Sequence, residues 1–334
     1  YGSTVFQYSV TPGIEKLRQK IAERYNKKFN LDLTFENVLI TTGSQQALDL
    51  ISKVLLNEND GVIVERPTFL GALQVFAQYR PKFNSVELNG DGIDIEELKK
   101  IAQKRNKLIY LIPDFQNPTG LTYSKEIREK TVEIMKDKET VFIEDDPYGE
   151  LRFDDEHLPY MALQLKYGVV LGSFSKTVTP GMRIGFIISY NKELLNQIVI
   201  AKQASDLHTN VFSQYLIADY LEHNNFDEHI SKIRALYKGQ AQTMVEAMEK
   251  YFPKNVEFTR PKGGMFLWVT IPPHINALEI FPKALEKKVA FVPGDPFFAD
   301  NKKKNTFRLN YSNADSETIN EGIKRLAEVL KEVC

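Results

Sequence analysis

An α/β fold with a mostly parallel central sheet, helices on both faces and a smaller second domain is predicted by three observations. Short apolar, β-rich runs alternate with amphipathic helical runs over roughly the first 200 residues. Four polar clusters, Gly43–Gln45, Gln116–Gly120, Asp145–Tyr148 and Ser173–Lys176, each fall just after an apolar run. Ligands of such sheets sit at the carboxyl ends of the strands, so the clusters are expected to converge on one site. After about residue 190 the pattern changes to long helices and short strands. A boundary is expected near 190–210, dividing residues 1–205 from a smaller α+β unit at 206–334.

In order along the chain, NVLITTG reads as a strand ending in glycine. SQQALDLISKVLL then places Ala47, Leu48, Ile51, Val54 and Leu55 at helical spacing. GVIVERP and NSVELN read as strands, and FLGALQVFAQY and DIEELKKIAQKR as helices. KLIYLIPDFQNP is a strand running into a turn, and SKEIREKTVEIMKD is a charged surface helix. ETVFIEDDPYG and GVVLGSFSK are strands with polar ends, and Ile184–Ile188 is another apolar strand. Beyond them, NKELLNQIVIAKQAS, the segment from about Phe226 to Tyr251 and SETINEGIKRLAEVLKEV read as helices. GGMFLWVTI, VAFVP and TFRLNYS read as shorter strands.

Bulk composition limits the function classes. Lys plus Arg is 43 and Asp plus Glu 44, a net charge of -1, which gives no argument for nucleic acid or an anionic membrane as partner. The run Lys302-Lys303-Lys304 reads as a solvated loop. The one cysteine, Cys334, precludes a disulfide within the chain. No apolar run approaches the roughly 18 residues of a membrane span, and no signal peptide is seen, so a reducing, cytoplasmic setting is expected. The chain enters its pattern at once without an initiator methionine, so residues preceding Tyr1 are expected.

Chemistry concentrates at four places. Lys176 follows two hydroxyls, Ser173 and Ser175, and precedes Arg183. A lysine snorkelling from a strand end is one reading; a nucleophilic amine of the Schiff-base kind, with a cation and hydroxyls suited to a phosphate beside it, is the other. TTGSQQAL opens a helix whose N-terminus is either an ordinary serine cap or an anion site. It lacks the Gly-Lys-Ser/Thr of a Walker loop and the spaced glycines of a dinucleotide fingerprint. FIEDDPYGEL carries Glu144, Asp145 and Asp146 after a buried strand. A solvated strand end, a metal site and paired glycosidase carboxylates are all readings of it. DFQNPTG reads as a turn.

Together, in this order and spacing, these elements resemble the fold-type I, pyridoxal-phosphate (PLP)-dependent aminotransferases of class I/II. The likeness is closest to the 2-aminoadipate, kynurenine and broad-specificity branch, through QYS…G, GSQQALDL, NP-G, EDDPY and FSK…PG-RIG, and it runs from about Tyr8 to the C-terminus. The resemblance implies a large PLP-binding domain and a set of roles. Lys176 would form the internal aldimine and shuttle the proton of the substrate Cα. Asp145 would face the pyridine nitrogen and keep it protonated. Tyr148 and Asn117 would bond the ring's phenolic oxygen. Ser173, Arg183 and the Ser44 and Gln45 amides, beyond Gly43, would hold the phosphate, with a hydroxyl from Tyr8 of the neighbouring subunit in a homodimer. Phe69 would stack on the ring, where close relatives usually have tyrosine, so a hydroxyl contact is lost. Arg308 would pair with the substrate α-carboxylate, beside Asn117. A cis peptide at Asn117–Pro118 is implied as well.

Glu144 and Asp146 receive no role. His208 is read as a loop residue, a site-lining residue or a dimer contact. Phe266 and Trp268 are expected in the small-domain core; for Phe297 and Phe298, flanking the substrate side chain is the less favoured reading. Relatives begin with an N-terminal arm that contributes to the substrate pocket; it is absent from this sequence, which leaves specificity open. The expected partners are an amino acid and a 2-oxoacid, with no nucleic acid, membrane or metal. An aminotransferase-like effector domain of a PLP-binding transcription regulator and a PLP-dependent lyase are the alternatives.

Overall fold

The computed structural model describes residues 2–154, 157–300 and 302–334. A short 3-10 turn (Gly2–Phe6) leads to α1 (Glu15–Phe29), β1 (Val38–Thr41), α2 (Gly43–Leu55), β2 (Gly61–Arg66), α3 (Leu70–Ala77), β3 (Lys82–Asn89) and β4 (Gly92–Ile93). There follow α4 (Ile95–Ile101), β5 (Asn106–Leu111), α5 (Lys125–Met135), β6 (Val141–Asp146), β7 (Gly168–Ser173), β8 (Gly185–Ile188), α6 (Lys192–Ser205) and α7 (Val211–His223). The chain closes with α8 (Phe226–Tyr251), β9 (Glu257–Phe258), β10 (Phe266–Thr270), α9 (Ala277–Glu286), β11 (Val292–Pro293), β12 (Thr306–Asn310) and α10 (Ser316–Val333).

The large sheet has the order β1-β8-β7-β6-β5-β2-β3-β4. Strands β7, β6, β5, β2 and β3 pair in parallel, and β8 is antiparallel to both β7 and β1. Two reversals restore direction, so β1 runs with the parallel set. The carboxyl ends of β1, β5, β6 and β7 therefore share one edge, and the four polar clusters arrive there together. The central strands read as nearly unbroken apolar runs because helices bury both faces. One face holds Ile63, Ile109, Phe142 and Val170 against α1 and α7. The other holds Val64, Leu108, Ile143 and Leu171 against α2, α3 and α6.

The small sheet, order β11-β12-β10-β9, is antiparallel throughout. Leu267, Val269, Phe307 and Leu309 from its strands pack with Met248 of α8, Ile280 of α9, and Leu326 and Leu330 of α10. The division near 205 is one of sequence pattern. By packing, Val211, Ile217 and Ala218 of α7 lie in the core of the large sheet, and the change of core falls along α8.

Three local expectations differ. Helix α7 escaped notice because Phe212 and Leu216 are exposed opposite its buried Val211 and Ile217, which blurs the apolar period. Helix α9 carries Pro282 inside it, a residue that argues against a helix. VAFVP pairs only at Val292–Pro293, because Phe291 turns into the small core against Phe307.

Candidate active site

The Lys176 turn is anchored by its one apolar member. Phe174 is buried against Phe186, and its backbone N–H donates to Ile184 O at 3.1 Å. Its carbonyl accepts from the amides of Val178 and Thr179. Seating Phe174 leaves Ser173, Ser175 and Lys176 at the sheet edge. The Lys176 amine is held below the usual lysine range, first by burial, then by the Arg308 and Arg183 guanidiniums. Among the described residues no hydrogen bond engages its Nζ.

Arg183 sits in the left-handed region, φ 55°, at the end of a 3-10 turn (Pro180–Met182). Its Nη1 donates to Ser175 Oγ and Pro180 O, both at 3.4 Å. Its guanidinium lies over Gly43, where a Cβ would fall 2.4 Å from Nη2. Gly43 itself has φ +74°, so a side chain there is disfavoured twice. Gly185 makes a matching close approach, with a Cβ position 2.8 Å from Ser44 N. Helices α4 to α10 start from Asp, Ser or Asn side chains that accept a first-turn amide. The first turn of α2 has no such cap. Its amides, the Arg183 fork, Ser173 and Ser175 form a cup of donors that suits a phosphate. The Gln45 side chain is used elsewhere, donating to Gly71 O at 2.8 Å.

The carboxylates of β6 divide by alternation. Glu144 points to one face and accepts from Ala162 N and Arg128. Asp146, on the same face, accepts from Gly149 N and Tyr160 Oη. Asp145 points to the other face, and its Oδ2 accepts from Tyr110 Oη at 2.6 Å. Asp145 is 2% exposed, and its Oδ1 is buried with no hydrogen-bond partner among the described residues. Burial pushes its pKa up to about 7. The reading of a solvated strand end is thus overturned: β6 is buried through Asp145, and only Asp146 at its end is partly exposed. A buried acceptor without a donor is costly, and a protonated ring nitrogen would satisfy it. Tyr110, which fixes this carboxylate, was missed in the sequence; its signal is a hydroxyl inside the apolar run LIYLIP.

The wall opposite is built around Asn117. The Asn117–Pro118 bond is cis, as is Arg66–Pro67. Asn117 Nδ2 donates to Tyr148 Oη at 3.4 Å, and its Oδ1 accepts from Arg308 Nη1 at 2.7 Å. Burial, then the Asp145 charge, raises the Tyr148 pKa. Arg308 comes from β12 of the small sheet, with its guanidinium carbon 4.1 Å from the Phe266 ring centroid and 5.2 Å from that of Phe297. Phe266 also meets Tyr148 edge-on at 5.7 Å. Phe266 and Trp268 are therefore not in the small-sheet core: Phe266 packs with the large sheet, and Trp268 with Phe297 and Phe298. The strand starts where the two units meet, so its first side chains face the site. Phe69 caps α3 and folds its ring over Gly71, whose Cβ would lie 2.5 Å from Phe69 Cζ.

Tyr8 lies apart from these groups. It is 87% exposed and meets His208 edge-on at 5.9 Å. His208 Nδ1 lies 3.1 Å from Thr209 O. A cavity of about 680 Å³ opens between α1, the residues Asp146, Glu150 and Tyr160, and α8, with Ser173 and Phe174 also on its lining. Its charges answer one another, with Arg24 and Lys28 on Glu150 and Arg24 on Asp227. The unsatisfied acceptor and the shifted amine lie at the strand ends, so the chemistry is assigned there.

The model of "Aminotransferase class I and II" matches residues 1–326. The aromatic-amino-acid aminotransferase 1 of Thermococcus litoralis is 40% identical, over 99% of this chain and 81% of its own length. The 2-aminoadipate transaminase of Thermus thermophilus is 42% identical, over 99% of this chain and 83% of its own. A crystal structure of the Pyrococcus horikoshii kynurenine aminotransferase in complex with PMP superposes with a TM-score of 0.95 at 38% identity, covering 99% of this chain and 84% of that one. The chain belongs to the class I and II aminotransferase family. It is an amino-acid aminotransferase of PLP fold type I, and its cofactor is PLP.

Proposed function

We propose that the enzyme passes the amino group of an L-amino acid to a 2-oxoacid, with glutamate and 2-oxoglutarate as one pair. It does so in two ping-pong half-reactions at the site around Lys176. Aromatic, aliphatic or 2-aminoadipate-like donors form the other pair, a reading supported by relatives named for aromatic-amino-acid, kynurenine and 2-aminoadipate substrates. The observation that carries the site assignment is the buried, unpartnered Oδ1 of Asp145, on the strand beside the one that ends in the Lys176 turn.

The bound cofactor supplies an electron sink for the carbanion formed when the substrate Cα loses its proton. The rest falls to the protein. Asp145, fixed by Tyr110, holds a proton on the ring nitrogen. Gly43, the Ser44 and Gln45 amides, Ser173 and Arg183 hold the phosphate, and Phe69 covers the ring. Tyr148 and Asn117 bond the ring oxygen. Arg308 grips the α-carboxylate by its fork, beside Asn117. Lys176, half-buried and with its pKa lowered, is the nucleophile, and as a free base it moves the Cα proton. The enzyme works as a homodimer in which the partner's phosphate receives the Tyr8 hydroxyl. A cytoplasmic location agrees with a single cysteine.

A screen of amino donors with 2-oxoglutarate tests this reading. Glutamate and the donor's 2-oxoacid are the expected products. Ammonia and pyruvate would point instead to a lyase.

A further inference from the structure

At the end of β2 stands a buried carboxylate that the reaction does not touch. Glu65 is 0% exposed and accepts four hydrogen bonds. Ile112 N and Tyr123 Oη donate to its Oε1, at 3.0 and 2.8 Å. Gln116 Nε2 and Thr68 Oγ1 donate to its Oε2, at 2.9 and 3.4 Å. Burial raises its pKa to about 8 despite these donors. Such a group is expensive to keep inside a protein, and a packed apolar residue would spare that cost.

Its neighbours explain what it does. Gln116 is an amide that could face either way. Here its Nε2 points to Glu65 and to Pro67 O, at 2.9 Å each. Its Oε1 is thereby left to accept from Thr119 N at 2.9 Å and Thr119 Oγ1 at 2.7 Å. The Gln116 backbone closes the same turn, with Gly120 N donating to Gln116 O at 2.6 Å. Asn117 lies inside that turn and carries both Arg308 and Tyr148. A second arm leaves through Thr68, whose backbone N–H donates to Phe297 O at 2.8 Å. Phe297 lies against Arg308, and Phe69 is the next residue along from Thr68.

We propose that Glu65 is a positioning residue: because each of its oxygens takes an N–H, one from Ile112 and one from Gln116, it fixes the Gln116 amide, and through it aims Asn117 at Arg308 and at the cofactor's ring oxygen. The inference rests on the ring-oxygen and α-carboxylate roles given above to Asn117 and Arg308. Replacement by glutamine is informative because it keeps the shape. The Ile112 N–H is part of the backbone and keeps the amide oxygen, so the new NH2 falls where Gln116 Nε2 already points. Either Gln116 turns over, setting its NH2 against Thr119 N–H, or the contact opens.

The experiment compares Glu65→Gln and Tyr123→Phe with wild-type holoenzyme. The pH midpoint of the cofactor's visible band is titrated, and KM and kcat are measured for one amino donor. In Glu65→Gln the band midpoint should rise by about one unit, since the ring oxygen loses a fixed donor. KM for the amino donor should rise about tenfold as Arg308 loses its tether. PLP retention should be unchanged, because the phosphate cup is built from other elements. Tyr123→Phe removes a bond on the far side of Glu65 and should lower Tm while leaving the midpoint and KM in place. If Glu65→Gln does not fold, Thr119→Val replaces it, weakening the Gln116 Oε1 contact and shifting both readouts the same way by less. An unshifted midpoint and KM in the variant that folds, or equal shifts in Tyr123→Phe, would overturn the relay. A wild-type enzyme whose band does not titrate would remove the ring-oxygen role and the relay with it.

Discussion

At the scale of single residues, the functional argument turns on one amine and one carboxylate. Borohydride reduction of the holoenzyme should fix the cofactor covalently to Lys176, as read by peptide mass spectrometry. Lys176→Ala should lose transamination by several orders of magnitude, since nucleophile and proton carrier go together; an adduct on another lysine would refute the assignment. Asp145→Asn should cut turnover sharply, while Asp146→Asn, altering a group that faces Tyr160 and Gly149, should cut it far less. Asp145 also predicts a pH effect. Its folded pKa of about 7 lies above the about 3.9 of an unfolded aspartate, so its proton stabilises the fold. That contribution is complete at low pH and is lost as pH rises from about 4 to 7. Relative to wild type, apo Asp145→Asn should therefore gain Tm across that window; a difference independent of pH would contradict it. Lys176, Asp145 and Arg183 could be proposed from the sequence because each sits at a fixed offset from a recognisable strand. Tyr110, Glu65 and Phe266 could not, because a strand residue's neighbour across the sheet cannot be read from its position in the chain.

Among the elements, legibility followed period and punctuation. Helix α2, with its apolar stripe behind a glycine, and α8, which spans Phe226–Tyr251 as expected, were plain. Helices α7 and α9 were not, one for its exposed aromatics and the other for its internal proline. The glycine at the head of α2 has a checkable purpose. Gly43→Ala should push the Arg183 guanidinium away and weaken PLP binding about tenfold or more with little change in secondary structure, as followed by cofactor titration of the apoenzyme. A different device ties β5, β6 and α5 together. Arg128 is 4% exposed between Asp114 and Glu144, and Arg152 meets the same Asp114. Arg128→Met should leave Glu144 without its cation and Asp114 with Arg152 alone, and cost about 3–5 kcal/mol in urea denaturation.

For the molecule as a whole, the open question is how many chains complete a site. Tyr8 is exposed beside other uncovered apolar groups, Phe6, Val10 and Phe212. If it serves the neighbouring subunit, hybrid dimers of Tyr8→Phe and Arg183→Ala chains should keep one phosphate site of wild-type PLP affinity and one doubly damaged site. Two singly damaged sites would place Tyr8 in its own subunit's site. Within one chain, Asn117 hangs from the large sheet and Arg308 from the small one, and a 2.7 Å bond joins them. The two sheets have separate cores, with α8 running along both. The α-carboxylate of an amino acid would thus do more than occupy a pocket: it would act as a clasp, and its arrival would be felt as a change in how firmly the two bodies are fastened. An amine of the same side chain, lacking that carboxylate, would leave the clasp undone, and discrimination against it would be written in the posture of the protein as well as in a missing salt bridge.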